Sequence, residues 1–263
     1  MKLGFIGTGA ISDAVIRGLA SSDYPVSEFI VSRRSDAVSR KLAADFENVR
    51  ICDDNQAIID QSDMIFLAVL PQIARDVLEP LDVPDDKKLV SLIATIPIAE
   101  LKSWLGTNAQ CDRAIPLPSV EHHACVTAIY PGSDDVMALF DKLGGAVAAK
   151  TIDAFDGYAA GSALMATYFT VLESAADWMV KQGSDAADAR RYLAALFSGL
   201  AQNTAKSPDK SFAQLVDGHS TPGGLNEQVA KTFVRENGAS ALHTALDDVF
   251  ARIKAASGPT DQN

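Results

Sequence analysis

The chain opens with an apolar run, Lys2 to Ile6, that leads without interruption into Gly7-Thr8-Gly9-Ala10-Ile11-Ser12 and on into helical spacing from Ile11 to Ala20. A strand that turns on two glycines into a helix constrains the fold more than any other feature here. Gly7 permits the tight turn, Gly9 lets a backbone approach a pyrophosphate, and the phosphate charge then rests on the helix N-terminus. Ser12 stands where a third glycine is usual, and that position asks only for a small residue between helix and strand. Gly7, Thr8, Gly9, Ala10 and Ile11 are therefore expected to bind a dinucleotide.

The rest of the first 150 residues continues in the same idiom, alternating short β-like runs with amphipathic segments, the pattern of βαβ units around a parallel sheet. The spacing predicts strands at Lys2 to Ile6, Phe29 to Ser32, Val49 to Cys52, Met64 to Val69, Leu89 to Ala94, Arg113 to Leu117, Val126 to Tyr130 and Ala146 to Lys150. From about Asp153 the β-branched runs vanish and apolar residues recur at three and four, which is helical. Helices are predicted from Tyr158 to Lys181, from Ala186 to Ala205, from a Ser207-Pro208 start toward Val216, from Thr221-Pro222-Gly223-Gly224 to Gly238, and from Ala239 to about Ala255. The tail from Ser257 is expected to fray. The fold class is α/β: a Rossmann-type doubly wound domain over residues 1–152, then an all-α domain over 153–263.

Composition excludes several functions. The net charge is −11 and both halves are acidic, so no concentrated basic surface is available for nucleic acid. Charged residues interrupt every apolar stretch well short of the roughly 18 to 20 residues a bilayer span needs, so no membrane role is expected. The N-terminus lacks the apolar length of a secretory signal, giving a cytoplasmic expectation. Cys52, Cys111 and Cys125 are three in number and widely separated, which suits buried small residues rather than a disulfide framework or a metal site.

The end of the second strand is where an NAD enzyme places an acid for the ribose 2′-hydroxyl. Here the chain reads Ser32-Arg33-Arg34, a hydroxyl and two guanidiniums suited to a 2′-phosphate, so the expected cofactor is NADPH. Ala68-Val69-Leu70-Pro71-Gln72 ends the fourth strand, at the edge where an open α/β sheet presents its ligand crevice, and Ala68, Val69, Pro71 and Gln72 are expected there.

In the second half, Thr221-Pro222-Gly223-Gly224 reads as a helix start with Thr221 as N-cap, Pro222 at the first position and two side-chain-free residues leaving N–H groups open to a substrate carboxylate. Gly223, Gly224 and Asn226 are the expected substrate contacts, with His219 just before them. On the long helix Ser162, Thr167, Tyr168, Thr170 and Glu173 are the polar residues available to a cleft. Ser162 is placed with the substrate, and Thr221, Tyr168 and Glu173 are the candidate catalytic groups, Tyr168 as proton donor and Glu173 to balance a cationic substrate. His122 and His123 have no third ligand in sequence reach, and no metal is expected.

At this point the chain resembles the pyrroline-5-carboxylate reductases. The resemblance runs in order through the glycine loop, the basic turn Ser32 to Arg34, Asn55, Ala68-Val69-x-Pro71-Gln72, Ser91-Leu92-Ile93-Ala94, Arg113-x-x-Pro116, Gly161-Ser162 and Thr221-Pro222-Gly223-Gly224. It implies an N-terminal domain that binds NAD(P)H, with Asn55 among its contacts, and a C-terminal domain that dimerises so that the site forms between subunits. The departures cluster in the substrate half. Leu70 replaces the family's Lys, Thr95 its Gly, Ile115-Pro116-Leu117 its Met-Pro-Asn, Ala163-Leu164-Met165 its Gly-Pro-Ala, and Leu225-Asn226 its Thr-Thr.

The expected activity is hydride transfer from NADPH to the carbon of a C=N bond in a small carboxylated imine, by default pyrroline-5-carboxylate giving proline. The expected assembly is a homodimer or higher homo-oligomer. A hydroxy-acid dehydrogenase is the alternative enzyme, but such enzymes resemble one another in carrying a Lys on the interdomain helix, and no Lys lies between Lys150 and Lys181. A catalytically silent nucleotide-binding regulator is the third reading.

Overall fold

The computed structural model describes residues 1–256, so the expected frayed tail lies outside the described residues. Two compact units form, one from Met1–Ala159 with residues 250–256, the other Ala160–Val249.

The first unit is built on β1 (Lys2–Ile6), α1 (Ala10–Ala20), β2 (Glu28–Ser32), α2 (Asp36–Asp45), β3 (Val49–Cys52), α3 (Asn55–Gln61), β4 (Met64–Leu67) and α4 (Pro71–Leu78). It continues through β5 (Lys88–Ser91), α5 (Ile98–Leu105), β6 (Gln110–Ile115), a 3-10 turn at Pro118–His122, β7 (Thr127–Tyr130), α6 (Asp134–Asp141) and β8 (Ala146–Ala148). All eight predicted strands form, with some ends moved: β6 begins at Gln110 instead of Arg113, β5 runs Lys88–Ser91 and stops short of Ala94, and β4 and β8 stop short of Val69 and Lys150. They make one sheet in the order β3-β2-β1-β4-β5-β6-β7-β8. Every pair is parallel except β6 with β7, where Arg113 faces Tyr130. The strand order reverses between β1 and β4, and a doubly wound sheet binds its ligand outside the carboxyl ends at such a reversal.

Strand residues alternate between two cores because successive side chains leave opposite faces. Leu3, Phe5, Phe29, Val31 and Phe66 pack on one face against α1 and α6. Ile6, Ile30, Ile65, Leu67 and Leu89 pack on the other with residues of α3, α4 and α5. The Phe5 and Phe66 rings stack at 4.5 Å on neighbouring strands. Burying an aromatic or branched side chain of this kind contributes about 1.5 to 3 kcal/mol, so the central strands are anchored from both sides.

The chain then forms α7 (Ile152–Ser162), α8 (Leu164–Lys181), α9 (Ala186–Ala205), α10 (Phe212–His219), α11 (Leu225–Arg235) and α12 (Gly238–Ala256). Three boundaries correct the sequence reading. The helix expected from Tyr158 starts six residues earlier, at Ile152, and is interrupted at Ala163, beside the Gly161-Ser162 pair that weakens a helix locally. α10 does not start at Ser207-Pro208. Ser211 caps it, accepting from the Gln214 N–H at 3.2 Å while Gln214 Oε1 accepts from the Ser211 N–H at 2.8 Å. This reciprocal box satisfies two donors where Ser207 would satisfy one. Third, Thr221 is not the cap of α11. Gly224 occupies that position, and Pro222-Gly223 forms a turn closed by the Gly224 N–H on the Thr221 carbonyl at 2.8 Å. Gly223 has φ +75°, the left-handed value that the residue after proline needs in such a turn. The paired glycines thus precede the helix instead of weakening its first turn.

The Ala160–Val249 unit buries little of its own apolar surface. Ala176, Ala189 and Leu193 are its core, with Leu172, Met179 and Phe197 packed around them. Phe169, Trp178, Tyr192, Phe212, Leu225, Val229 and Val234 all remain exposed.

Candidate functional site

At the strand-order reversal the glycine loop is held from three directions. Gly7 has φ +99°, and a Cβ there would sit 2.4 Å from the Ala68 carbonyl oxygen at the end of β4. Only glycine fits. The Gly7 N–H donates to Ser32 Oγ at 2.9 Å, Thr8 Oγ1 donates to the Ser32 carbonyl at 2.6 Å, and buried Ser12 donates to the Gly7 carbonyl at 2.7 Å. Gly9 caps α1 with nothing within 4 Å of the place a Cβ would take. The Asp13 N–H reaches the Gly9 carbonyl at 3.0 Å, so the N–H groups of Ala10, Ile11 and Ser12 are the unpaired head of the helix. Two phosphates of a dinucleotide suit an open glycine and three such donors at the positive end of a helix dipole.

Beside the loop lies a cavity of about 210 Å³ lined by Gly7, Ser32, Arg33, Arg34, Asp53, Asn55 and Val69. The structure thus brings together most of the expected cofactor residues. Ser32 changes role: its hydroxyl accepts from Gly7 and lies 3.2 Å from Thr8 Oγ1, so it shapes the loop and leaves the two arginines as the groups offered to a phosphate. Arg33 is ion-paired with Asp53, and Asp36 lies 3.5 Å from its Nη1. The Asp53 carboxylate raises Arg33 above its ordinary value, and Arg33 in turn holds Asp53 below the usual carboxylate range. Arg34 makes no ion pair among the described residues. Sequence reasoning missed Asp53. Its signal was there: the parallel register pairs Ser32 with Cys52, so the next residues, Arg33 and Asp53, must lie side by side.

The segment after β4 runs through Ala68 and buried Val69 to exposed Leu70, Pro71 and Gln72, with Leu70 capping α4 and Pro71 at its first position. Asn55 opens α3, whose cap is Asp54, accepting from the Gln56 N–H at 3.0 Å.

Within the second unit, the Gly223 N–H donates to Glu227 Oε2 at 2.9 Å, and Lys231 pairs with Glu227 Oε1 at 2.7 Å. The glycine amides expected to be open are therefore both engaged, Gly223 with a carboxylate of this chain and Gly224 with Thr221. The open donors are the N–H groups of Leu225, Asn226 and Glu227, the first three of α11. Asn226 Nδ2 donates to the His219 carbonyl at 2.9 Å, and His219 Nδ1 lies 2.8 Å from the Leu215 carbonyl. This pair braces the end of α10 against α11, a structural duty where substrate contact was expected. Tyr168 is partly exposed on α8, with its ring 5.9 Å from that of Phe197, and Glu173 is exposed. Five residues apart on one helix, they point about 140° from each other and do not share a face. Ser162 ends α7, half-buried.

The histidines of the 3-10 turn lie elsewhere. His123 Nε2 is 2.9 Å from the Gly18 carbonyl and 3.1 Å from Ser21 Oγ, at the C-terminal end of α1, whereas the glycine loop is at its other end. Among the described residues no group of three or more His, Cys, Asp or Glu is placed to hold a metal. No helix among them is long and apolar enough to cross a membrane.

Comparison with known proteins accounts for both units in chain order. Residues 2–95 match a family model described as NADP oxidoreductase, coenzyme F420-dependent, and residues 150–256 match one described as pyrroline-5-carboxylate reductase dimerisation. The pyrroline-5-carboxylate reductase of Vibrio alginolyticus is 25% identical over 264 residues, covering 96% of each chain. The chain matches pyrroline-5-carboxylate reductases over nearly its full length, and its C-terminal half carries their dimerisation domain. Among solved structures, the 1-pyrroline-5-carboxylate reductase of Streptococcus pyogenes superposes with a TM-score of 0.80 at 25% identity, covering 97% of this chain and 98% of that one. The Plasmodium falciparum pyrroline carboxylate reductase, solved with NADP bound, shares the fold, with a TM-score of 0.81 at 20% identity over 98% of both chains.

Proposed function

We propose that the chain is an NADPH-dependent reductase of a small carboxylated imine, with 1-pyrroline-5-carboxylate, giving proline, as the default substrate. The observation that carries this reading is the ordered match of both halves to reductases of that substrate, over nearly the full length of each. NADPH supplies the hydride that reduces the imine carbon.

The chain's own residues bind and orient. The open N–H groups of Ala10, Ile11 and Ser12 receive the pyrophosphate, and Arg34, with Arg33, receives the 2′-phosphate. The amides of Leu225, Asn226 and Glu227 receive the substrate carboxylate, with the Thr221 hydroxyl on the turn before them. An imine is electrophilic once protonated, so positioning and exclusion of water account for most of what the protein must do. Of the candidate catalytic groups, Thr221 lies in the turn beside these amides, whereas Tyr168, as proton donor, and Glu173, to balance the cationic substrate, lie on α8. The helices α7 and α8 together span residues 152–181 without a lysine before Lys181, which counts against carbonyl reduction of the hydroxy-acid type. Two copies pairing through the Ala160–Val249 unit would cover its exposed aromatic and aliphatic side chains.

The test is steady-state oxidation of NADPH against 1-pyrroline-5-carboxylate, its six-membered homologue and open-chain 2-keto acids. Turnover of the cyclic carboxylated imines alone is expected. Turnover of the keto acids alone would make the chain a hydroxy-acid dehydrogenase, and binding of NADPH without turnover would make it a regulator.

A further inference from the structure

We propose that Asp53 is a specificity-determining residue of the nucleotide pocket, its carboxylate holding Arg33 so that Arg34 is the cation a 2′-phosphate meets first. The inference rests on the NADPH reading above.

The arrangement follows from the sheet itself. β2 and β3 run parallel with Phe29 opposite Val49 and Ser32 opposite Cys52, and the Arg33 N–H continues the ladder to the Cys52 carbonyl at 3.3 Å. Arg33 and Asp53 therefore leave the carboxyl edge together. Arg33 Nε donates to Asp53 Oδ1 and its Nη2 lies 3.3 Å from Oδ2, a two-point contact that uses the fork of the guanidinium. Asp36 approaches the remaining nitrogen at 3.5 Å. Two carboxylates thus flank one guanidinium on the wall of the cavity that both arginines line.

An NAD site places its acid at the end of β2, where it faces the ribose. Here the acid is displaced by one strand and faces an arginine. A 2′-phosphate that engages Arg33 must replace Asp53 or share the guanidinium with it. Replacing one anion by another gains little, and sharing brings two like charges together. Arg34 has no carboxylate partner among the described residues and carries no such cost. The carboxylate therefore tempers the preference for a 2′-phosphate while the pair of arginines preserves it.

Calorimetry on the full chain with adenosine 2′,5′-bisphosphate and with AMP tests this without turnover. Asp53 is well exposed at 72%, so Asp53→Asn should fold as the parent does, and AMP binding checks it. Asp53→Asn should tighten the bisphosphate about three- to fivefold and leave AMP within about twofold, the scale of one exposed ion pair. Arg34→Ala should weaken the bisphosphate more than Arg33→Ala does. The effect of Arg33→Ala should grow when Asp53 is already Asn, since the arginine is then released. Unchanged or weaker bisphosphate binding in Asp53→Asn would overturn the proposal, showing a carboxylate that is neutral or that aims Arg33 at the phosphate. An unmodified protein that binds AMP as tightly as the bisphosphate, or binds neither, would instead overturn the NADPH reading.

Discussion

Replacing Arg113 by Met tests a fully buried cation of the first unit, the partner of an equally buried carboxylate. Arg113 on β6 is 1% exposed and Asp156 on α7 is 0% exposed, with 3.9 Å between Nη1 and Oδ1. Arg113 Nη2 donates to the Ala94 carbonyl beyond β5, and its guanidinium carbon lies 4.7 Å from the centre of the Phe155 ring. Arg113 Nε and both Asp156 oxygens have no hydrogen-bond partner among the described residues. Mutual attraction, helped by Lys254 at 3.7 Å from Asp156, therefore opposes a large loss of hydration. Burial pushes Arg113 down and Asp156 up from their ordinary values, and the opposite charge works against each shift.

Arg113→Met keeps an unbranched apolar stem and removes the cation, leaving a carboxylate buried without its main partner. Such a loss costs about 3 to 5 kcal/mol. At about 2 to 4 °C per kcal/mol for a chain of this size, Tm should fall by about 6 to 20 °C. Differential scanning fluorimetry at fixed protein concentration reads it, since subunit pairing makes Tm depend on concentration. The pH dependence has a definite sign. A carboxyl whose folded pKa is raised favours its neutral form in the fold, so its contribution is full below the ordinary carboxylate range and is lost as pH rises through the folded value. Removing Arg113 raises the folded value further, so the deficit should shrink between about pH 7.5 and pH 5. Arg113→Met/Asp156→Asn should recover roughly half of it, the uncharged amide being easier to bury. A fall in Tm below about 2 °C, or a deficit equal at both pH values, would refute the reasoning.

Gly7→Ala should abolish NADPH binding and lower Tm, because φ +99° and the Ala68 carbonyl 2.4 Å from the new Cβ admit no side chain; retained affinity in calorimetry would contradict it. Gly224→Val should raise KM for the carboxylated imine with NADPH affinity unchanged, since its Cβ would meet the Thr221 carbonyl at 2.9 Å and disturb the turn ahead of α11; an unaltered KM moves the carboxylate site elsewhere. Phe169→Asp/Trp178→Asp, at side chains 66% and 64% exposed, should shift a dimer toward monomer in light scattering; a parent protein already monomeric at micromolar concentration would sink that expectation. Of the three thiols, Cys111 should resist alkylation in the native state, because burial pushes it up to about 12, whereas half-buried Cys52 should react first.

The sheet was legible because burial on both faces forces strand residues into continuous apolar runs, and eight such runs gave eight strands. The glycine loop was legible for a related reason: strand, turn and helix are contiguous in the chain, and the backbone angle of Gly7 is a local demand. Helix starts were less so. Ser207-Pro208 and Ser211 are both credible caps, and only the reciprocal bond with Gln214 separates them. Ser32 read as a phosphate ligand because its hydroxyl is of the right type, but contact with Gly7 and Thr8 became visible only when β2 lay beside β1.

The two halves of the candidate site differed in legibility because they are assembled differently. Every residue proposed for the cofactor sits within a few positions of a strand end, and the parallel register converts sequence position into place, which is why even the position of Asp53 follows once Ser32 is paired with Cys52. Arg113 and Asp156 are separated by the whole β7-α6-β8 segment, so nothing local announces their meeting. The substrate half depends on a turn whose glycines served the backbone, on a carboxylate, Glu227, that claims an amide expected to be open, and on helices that leave Phe169, Trp178, Phe212 and Leu225 exposed. A unit with three buried core side chains and that much apolar surface is physically incomplete as one copy. What its polar residues face is decided by the surface that covers it, and the sequence of one chain carries that surface only as apolar side chains, Phe169 and Trp178 on α8, Phe212 on α10 and Leu225 on α11, that remain exposed.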